Sequence, residues 1–305
     1  MDDYLKIGII GFDTSHVPTF TRLLNDEKDP HHVEGGRVVA GFPSYSPDVE
    51  ASASRVENFK KEMIEKWNVK IVDSIEELIE EVDAVLLESV DGRRHFKEAI
   101  PVIKAGKPLF IDKPLAHNFY EAKKIMEMAE ENNCPVFSSS SLRFDVNIEK
   151  VKNDSEMGKI TGCNAFSPCP LEPTNPGLFW YGIHGVEILF TFMGKGCEKV
   201  YCEKTDDFHF VVGVWKDGRI GTVKGLRKGL HEYGATVFGE KKISHVTYSK
   251  EIPVYTGLLK EIINFFKNGK PPVEPEETLE IMKFMQASLI SEEEKRQVAL
   301  EEIEG

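Results

Sequence analysis

Asp112, Lys113 and Pro114 follow directly after the apolar run 108–111. Such a run predicts a short, buried parallel strand. Proline has no backbone donor and restricts the residue before it to extended conformations, so Lys113 is expected to project from the carboxyl end of that strand. Ligands of open α/β sheets bind at this end, and a lysine in a cleft can take part in proton transfer. Asp112 is its candidate ion-pair partner.

A second candidate site is the turn after the first predicted strand, where 8–16 reads Gly-Ile-Ile-Gly-Phe-Asp-Thr-Ser-His. A dinucleotide pyrophosphate needs glycines for close approach and a helix N-terminus for charge. Aligned to G-x-G-x-x-G, Gly11 takes the first glycine position, Asp13 the second and His16 the third. A carboxylate there is unfavourable unless it turns away, so a dinucleotide site and a plain helix cap at Asp13 or Ser15 both stay open. The predicted cofactor contacts of this turn are Gly11, Phe12, Asp13, Thr14, Ser15 and His16.

The ends of two further predicted strands give weaker signals. The second strand ends at 40–44, Ala-Gly-Phe-Pro-Ser, without the acid that binds the ribose hydroxyls of NAD, although Ser44 can make one hydrogen bond. This absence counts against tight, conventional NAD binding. The loop after the fourth strand carries Arg93 and Arg94, which can bind an anionic substrate or a phosphate, or can be simply solvated.

The pattern of elements changes near the middle of the chain. Before residue 141, apolar runs alternate with helical patterns, which predicts βαβ units and a doubly wound parallel sheet. Between 199 and 248, runs rich in Val, Phe, Tyr and Thr, with a Lys-Asp-Gly turn at 216–218, predict a mainly antiparallel sheet. Two helices and a solvated acidic tail, 301–304, are expected to close the chain. The predicted fold class is therefore α/β, with domains at 1–141 and 142–305, the second an α+β domain.

Composition narrows the function classes. The 305 residues contain 38 Lys plus Arg and 51 Asp plus Glu, a net charge of −13, which argues against a general nucleic-acid binder and an anionic membrane surface. No run of 18 apolar residues is present, and the N-terminus lacks a secretory pattern. The five cysteines lack C-x-x-C spacing, so reduced thiols in the cytoplasm are expected, and no motif predicts a metal. An exposed sheet face predicts a homodimer or homotetramer.

The segment 106–116 resembles the A-G-K-x-V-x-x-E-K-P-x-A motif of the Gfo/Idh/MocA oxidoreductases (the glucose–fructose oxidoreductase and inositol dehydrogenase group), with Asp112 in place of glutamate. Supporting likenesses are Leu142-Arg143-Phe144, Gly182-Ile183-His184 and the late turn 268–272. The resemblance implies a Rossmann-like first domain and hydride transfer between NAD or NADP and a sugar, polyol or sugar acid. It implies that Lys113 orients the nicotinamide and the substrate hydroxyl, and that His184 is a general acid or base.

This chain departs from the family pattern at several positions. Trp180 stands where the family has an aspartate four residues before the histidine, so Glu187, on the same helical face, is the candidate to orient the His184 ring. Tyr181 can supply a phenol as a third catalytic group. The degenerate motifs leave an alternative open: a ligand-binding or regulatory protein, or a cofactor-independent lyase. The remaining predicted cofactor contacts are Ser44, Glu88, Ser89, His95, Asp112, Lys113 and Pro114, and the predicted substrate contacts are Arg93, Arg94, Arg143 and Trp180.

Overall fold

Short buried strands alternate with helices through the first part of the chain. The computed structural model describes residues 4–304, which form two units. Six strands build the sheet of the first unit, and every paired strand is parallel to its neighbour. They are β1 (Leu5–Ile10), β2 (Gly36–Phe42), β3 (Lys70–Ile71), β4 (Ala84–Leu87), β5 (Leu109–Asp112) and β6 (Val136–Ser139).

The strand order β3-β2-β1-β4-β5-β6 is that of a doubly wound sheet and confirms the predicted fold class. The order reverses between β1 and β4, and ligands of such sheets bind beside that point, at the carboxyl ends of the strands. The helices that connect the strands are α1 (His16–Asn25), α2 (Glu50–Ala53), α3 (Val56–Trp67), α4 (Ile75–Glu81), α5 (Gly92–Lys104) and α6 (Phe119–Glu131).

The second unit contains a seven-stranded sheet in the order β12-β11-β7-β10-β9-β8-β13. All pairs are antiparallel except β7 with β10, and the Lys-Asp-Gly turn joins β9 to β10 as predicted. Its strands are β7 (Ile160–Pro168), β8 (Cys197–Lys204), β9 (Phe208–Trp215), β10 (Ile220–Leu226), β11 (Gly234–Gly239), β12 (Ile243–Thr247) and β13 (Val298–Ala299). The later helices are α7 (Val146–Lys152), α8 (Ile183–Met193), α9 (Tyr255–Asn268) and α10 (Pro275–Glu294). Short 3-10 turns lie at Ser141–Phe144, Ser155–Met157, Gly177–Phe179 and Leu300–Glu302.

Helix α8 is the most apolar helix of the second unit, and all eleven of its residues are buried. It packs against β7 and β10, so its few polar side chains, His184, Glu187 and Thr191, must find partners inside the protein. Across residues 4–304, none of the helices combines the length and the apolar character needed to cross a bilayer.

Two features of the C-terminal part differ from the sequence-based expectation. Helix α9 belongs to the first unit, where Phe265 packs edge-on against Phe137 at 5.3 Å. The acidic tail is not a solvated extension, because β13 pairs with β8 and the Ile303 side chain is buried. The glutamates of the tail are exposed, but Ile303 between them holds the tail against the protein. The predicted domain boundary at residue 141 stays a prediction; the units divide between Ser139 and Ser140.

All five cysteines are free and buried. Burial raises the pKa of the Cys134, Cys197 and Cys202 thiols to about 12 and that of Cys169 to about 11. Thiols with such pKa values carry little thiolate at neutral pH, so they serve as small apolar side chains rather than as nucleophiles.

Candidate active site

Lys113 lies directly after β5, at the carboxyl edge of the first sheet. The Lys113–Pro114 peptide bond is cis, and the Lys113 side chain is buried. Its ammonium lies 3.5 Å from Oδ2 of Asp112, the last residue of β5. The structure thus gives Lys113 the position and the neighbour that the sequence predicted, and its catalytic role stays a prediction.

Three strands deliver a buried cluster of ionisable groups at the same edge. His16 opens α1 after β1, Glu88 follows β4, and Asp112 ends β5. His16 Nδ1 lies 2.9 Å from Glu88 Oε2 and 3.3 Å from Asp112 Oδ2. Both carboxyl groups are almost completely buried. The sequence suggested each residue as a cofactor contact but gave no reason to group them.

The electrostatics of this cluster differ from those of exposed groups. Burial raises the pKa of Glu88 to about 7. Burial alone would lower the pKa of His16, but the carboxylates of Asp112 and Glu88 outweigh it and raise that pKa above its ordinary value. Two carboxylate oxygens, Glu88 Oε1 and Asp112 Oδ2, are buried without a hydrogen-bond partner among residues 4–304.

The structure shows which way the Asp13 carboxylate turns within the glycine turn, residues 8–16. The carboxylate turns into the protein and accepts hydrogen bonds from Ser52 Oγ at 2.6 Å and from the Val90 amide at 3.0 Å. Burial raises the pKa of Asp13. The alternative of a helix cap at this turn is wrong, because Asp13 bonds elsewhere and Ser15, at the N-cap of α1, makes no side-chain capping bond. Thr14 instead contacts the His16 amide through its hydroxyl, at 3.4 Å.

Gly11 has a positive φ of +87°, and a Cβ built there would lie 2.4 Å from the Ser89 backbone nitrogen. We expect Gly11→Ala to lower the free energy of unfolding by at least about 1 kcal/mol more than Gly106→Ala, because the overlap is with the backbone. Gly106 is the matched control: its φ is also positive, +67°, but no atom lies within 4 Å of its Cβ position, so Ala there costs about 1–2 kcal/mol for the backbone alone. Urea denaturation measures both. Equal losses would show that the loop after β4 moves aside.

Side chains of the protein fill the space at the end of β2. Phe12 is buried, and its ring lies so near Gly41 that a Cβ on that glycine would be 2.3 Å from Phe12 Cζ. The Ser44 hydroxyl is hydrogen-bonded to Glu98 and lies 3.2 Å from the hydroxyl of Ser89. The hydroxyl expected to contact a ribose is therefore already engaged.

The remaining predicted contacts of the first unit lie after β4, but only Glu88 and Ser89 are in the loop; Arg93, Arg94 and His95, predicted to lie in that loop, are in the first turn of α5. The ring nitrogens of His95 lie 2.6 Å from the Ser89 carbonyl oxygen and 2.9 Å from that of Pro114. This histidine thus ties the β4 loop to the lysine–proline segment.

Arg93 and Arg94 are both paired with carboxylates. Arg93 binds Asp91 and Asp48, and Arg94 binds Glu98. Their guanidinium groups remain about one-third exposed, at 31% and 32% of the side chain. Their role in binding an anion stays a prediction.

In the second unit, His184 lies in the first turn of α8. Its Nδ1 is 2.7 Å from the Ser140 hydroxyl, and its ring contacts Tyr181 and Tyr233 edge-on at 5.1 and 5.5 Å. Tyr233 was not predicted, because no sequence motif links the start of β11 to α8. Trp180 is partly exposed, just before Tyr181.

The prediction that Glu187 orients His184 is wrong. Glu187 instead forms a buried ion pair with Arg143 at 2.8 Å, and Arg143 also binds Glu277 at 2.6 Å. Burial raises the pKa of Glu187, although Arg143 opposes the shift. Arg143, predicted to bind substrate, thus has its guanidinium held between two carboxylates, and a serine hydroxyl takes the place of the carboxylate partner of His184.

The residues of the first unit fit a nicotinamide dinucleotide. The N-terminus of α1 favours negative charge near the point where the strand order reverses. The Asp13 carboxylate, the one group at the turn that would repel a pyrophosphate, points into the protein. Lys113 supplies a cation at the same edge, after β5. Residues 40–44, at the end of β2, contain no acidic residue that would favour NAD over NADP.

Comparison with known proteins agrees with this geometry. Residues 5–140 match the family model described as "Oxidoreductase family, NAD-binding Rossmann fold". A myo-inositol 2-dehydrogenase of Thermotoga maritima is 28% identical over 297 residues, which covers 80% of this chain and 89% of that protein. An inositol 2-dehydrogenase of Cereibacter sphaeroides is 33% identical over 129 residues, 41% of this chain and 33% of that protein.

Solved structures share the fold over nearly the whole chain. A "probable dehydrogenase" from Thermotoga maritima has a TM-score of 0.80 and 26% identity, and the match covers 98% of this chain and all of that one. The scyllo-inositol dehydrogenase of Lactobacillus casei with bound NAD(H) and scyllo-inositol has a TM-score of 0.78 and 16% identity, with 98% and 99% covered. At that identity, the second likeness shows the fold alone.

Proposed function

We propose that this chain, a member of the Gfo/Idh/MocA oxidoreductase family through its residues 5–140, is an NAD(P)-dependent dehydrogenase of a cyclic polyol, sugar or sugar acid. The observation that carries the proposal is Lys113, a buried cation at the carboxyl end of β5 in a unit that matches an NAD-binding oxidoreductase model. The Thermotoga relative acts on myo-inositol by its name, which supports a polyol as the first substrate to test.

Each residue has a defined part in this reaction. A bound nicotinamide dinucleotide would supply the acceptor for the hydride that leaves the carbon bearing the reacting hydroxyl. Lys113 holds that hydroxyl and the nicotinamide in place. His184 takes the hydroxyl proton as the C–H bond breaks and the C=O bond forms, a role that suits an imidazole near neutral pH. Ser140, bonded to Nδ1, fixes the orientation of the ring. Tyr181, whose ring contacts His184, completes the predicted catalytic set.

We further propose a homodimer or homotetramer in the cytoplasm. One support is that the seven-stranded sheet leaves several large apolar side chains exposed. These are Tyr201, Phe210, Ile220 and Ile243. The net charge of −13 supports a small-molecule substrate rather than a nucleic acid.

Calorimetric titration with NADH and NADPH, on protein checked for co-purified nucleotide, tests the cofactor first. We expect micromolar binding of one of them, followed by reduction of the oxidised form in a screen of inositols, sugars and sugar acids. A nucleotide-free protein that binds neither cofactor up to millimolar concentration would contradict the proposal. The search would then turn to anionic ligands of a protein without redox activity.

A further inference from the structure

The cluster of His16, Glu88 and Asp112 has more acceptor oxygens than its own donors satisfy. A proton on His16 Nδ1 can serve one oxygen at a time, yet Nδ1 lies 2.9 Å from Glu88 Oε2 and 3.3 Å from Asp112 Oδ2. Asp112 Oδ2 and Glu88 Oε1 have no hydrogen-bond partner among residues 4–304. Both residues are at most 1% exposed. Lys113 forms an ion pair with Asp112 Oδ2 at 3.5 Å but no hydrogen bond to it. Buried carboxylate oxygens without a hydrogen bond are costly, which indicates that a further ligand of positive charge belongs there.

The spacing of these atoms suits a metal cation. One ligand atom from each of His16, Glu88 and Asp112 lies within 4.8 Å of the others. Ligands about 2.1 Å from a cation are separated by about 3.0 Å in octahedral and about 3.4 Å in tetrahedral geometry. The two distances from His16 Nδ1 fall in that range. His16 begins α1, Glu88 follows β4 directly and Asp112 ends β5. Regular elements of the backbone therefore position all three residues.

We propose that His16, Glu88 and Asp112 bind one divalent transition-metal cation of the class of Zn²⁺ and Mn²⁺. One imidazole and two carboxylates suit these metals, whereas Mg²⁺ prefers oxygen ligands alone. Three protein ligands leave coordination positions for water or an anionic ligand, as in catalytic sites. The Lys113 ammonium, 3.5 Å from Asp112 Oδ2, is the cation with which the metal competes for that carboxylate.

A second group of similar composition serves as a comparison. Cys202, His209 and Glu292 also lie within metal-ligand reach of one another. In that group, however, the Arg227 guanidinium bonds His209 Nδ1 at 2.7 Å, and Lys204 pairs with Glu292 at 2.7 Å. The second group thus has two neighbouring cations for one carboxylate, whereas the first has the Lys113 ammonium for two carboxylates, so we assign the metal to the first.

The experiment starts from the purified full-length chain after dialysis against a chelator. Zn²⁺ and Mn²⁺ are titrated by calorimetry, and bound metal is counted by elemental analysis after gel filtration. We expect one equivalent to bind, and Glu88→Gln and Asp112→Asn each to weaken binding at least about tenfold. Glu98→Gln is the matched control, a buried carboxyl group bonded to two serine hydroxyls, and it should bind like the unaltered chain.

A Co²⁺ titration of the unaltered chain keeps the test independent of folding of the variants. A bound-cobalt visible spectrum without a sulfur charge-transfer band supports the His16 cluster. A sulfur band, or loss of the metal in His209→Asn, would place it with Cys202 and overturn the proposal. So would absence of binding up to millimolar metal, or unchanged affinity in Glu88→Gln and Asp112→Asn. None of these readouts depends on dehydrogenase activity.

Discussion

Replacing Lys113 by alanine is expected to lower kcat about a hundredfold or more, the range for loss of a group that positions the reacting hydroxyl. The ammonium is buried at the carboxyl end of β5, where another side chain cannot easily replace it. Steady-state rates with the cofactor and polyol selected above measure the effect. The KM for the cofactor should change much less than kcat if Lys113 acts on the reacting hydroxyl rather than on binding alone.

Two variants separate this role from a general effect of charge. Lys113→Arg keeps the charge but changes the geometry of the donors, so it should recover only part of the rate. Lys104→Ala removes an exposed lysine from the end of α5 in the same unit and should leave kcat unchanged. An alanine variant at 113 that turns over at the original rate would contradict the proposed role.

Arg143→Ala is expected to lower the free energy of unfolding by about 3–5 kcal/mol, because it leaves the buried Glu187 and the partly buried Glu277 without their cation. Attraction to these two carboxylates outweighs the effect of burial and raises the pKa of Arg143, so the guanidinium is charged throughout the accessible pH range. Urea denaturation followed by circular dichroism measures the loss.

Arg296→Ala is the matched control for this prediction. Arg296 also joins two glutamates, Glu294 and Glu302, but its side chain is 45% exposed and water solvates all three groups. Its removal should leave the free energy of unfolding nearly unchanged. If both variants lose the same free energy of unfolding, burial of the ion pairs does not explain the loss in Arg143→Ala. If Arg143→Ala stays stable but no longer binds a polyol, Arg143 contacts substrate, as the sequence predicted.

The sequence by itself predicted most of the strands and helices, the two-sheet architecture and the place of Lys113. It did not predict α7, β7 or β13. The predicted features depend on local patterns. Buried runs such as Ala84–Leu87 and Leu109–Asp112 read as parallel strands because both of their faces are covered. The Lys-Asp-Gly turn fixed the β9–β10 hairpin through its own backbone preferences. Pro114 restricts the backbone of Lys113 to extended conformations independently of the rest of the chain.

The tertiary structure alone decided which side chains meet. His16 and Glu88 are 72 residues apart, and Arg143 and Glu277 are 134 apart. Strand order brings the first pair together, and the fold of the second unit brings together the other. Glu187 lies on the helical face that the sequence assigned to it, yet it bonds Arg143 rather than His184. A buried charge takes the strongest partner within reach, and that partner depends on the packing of distant segments.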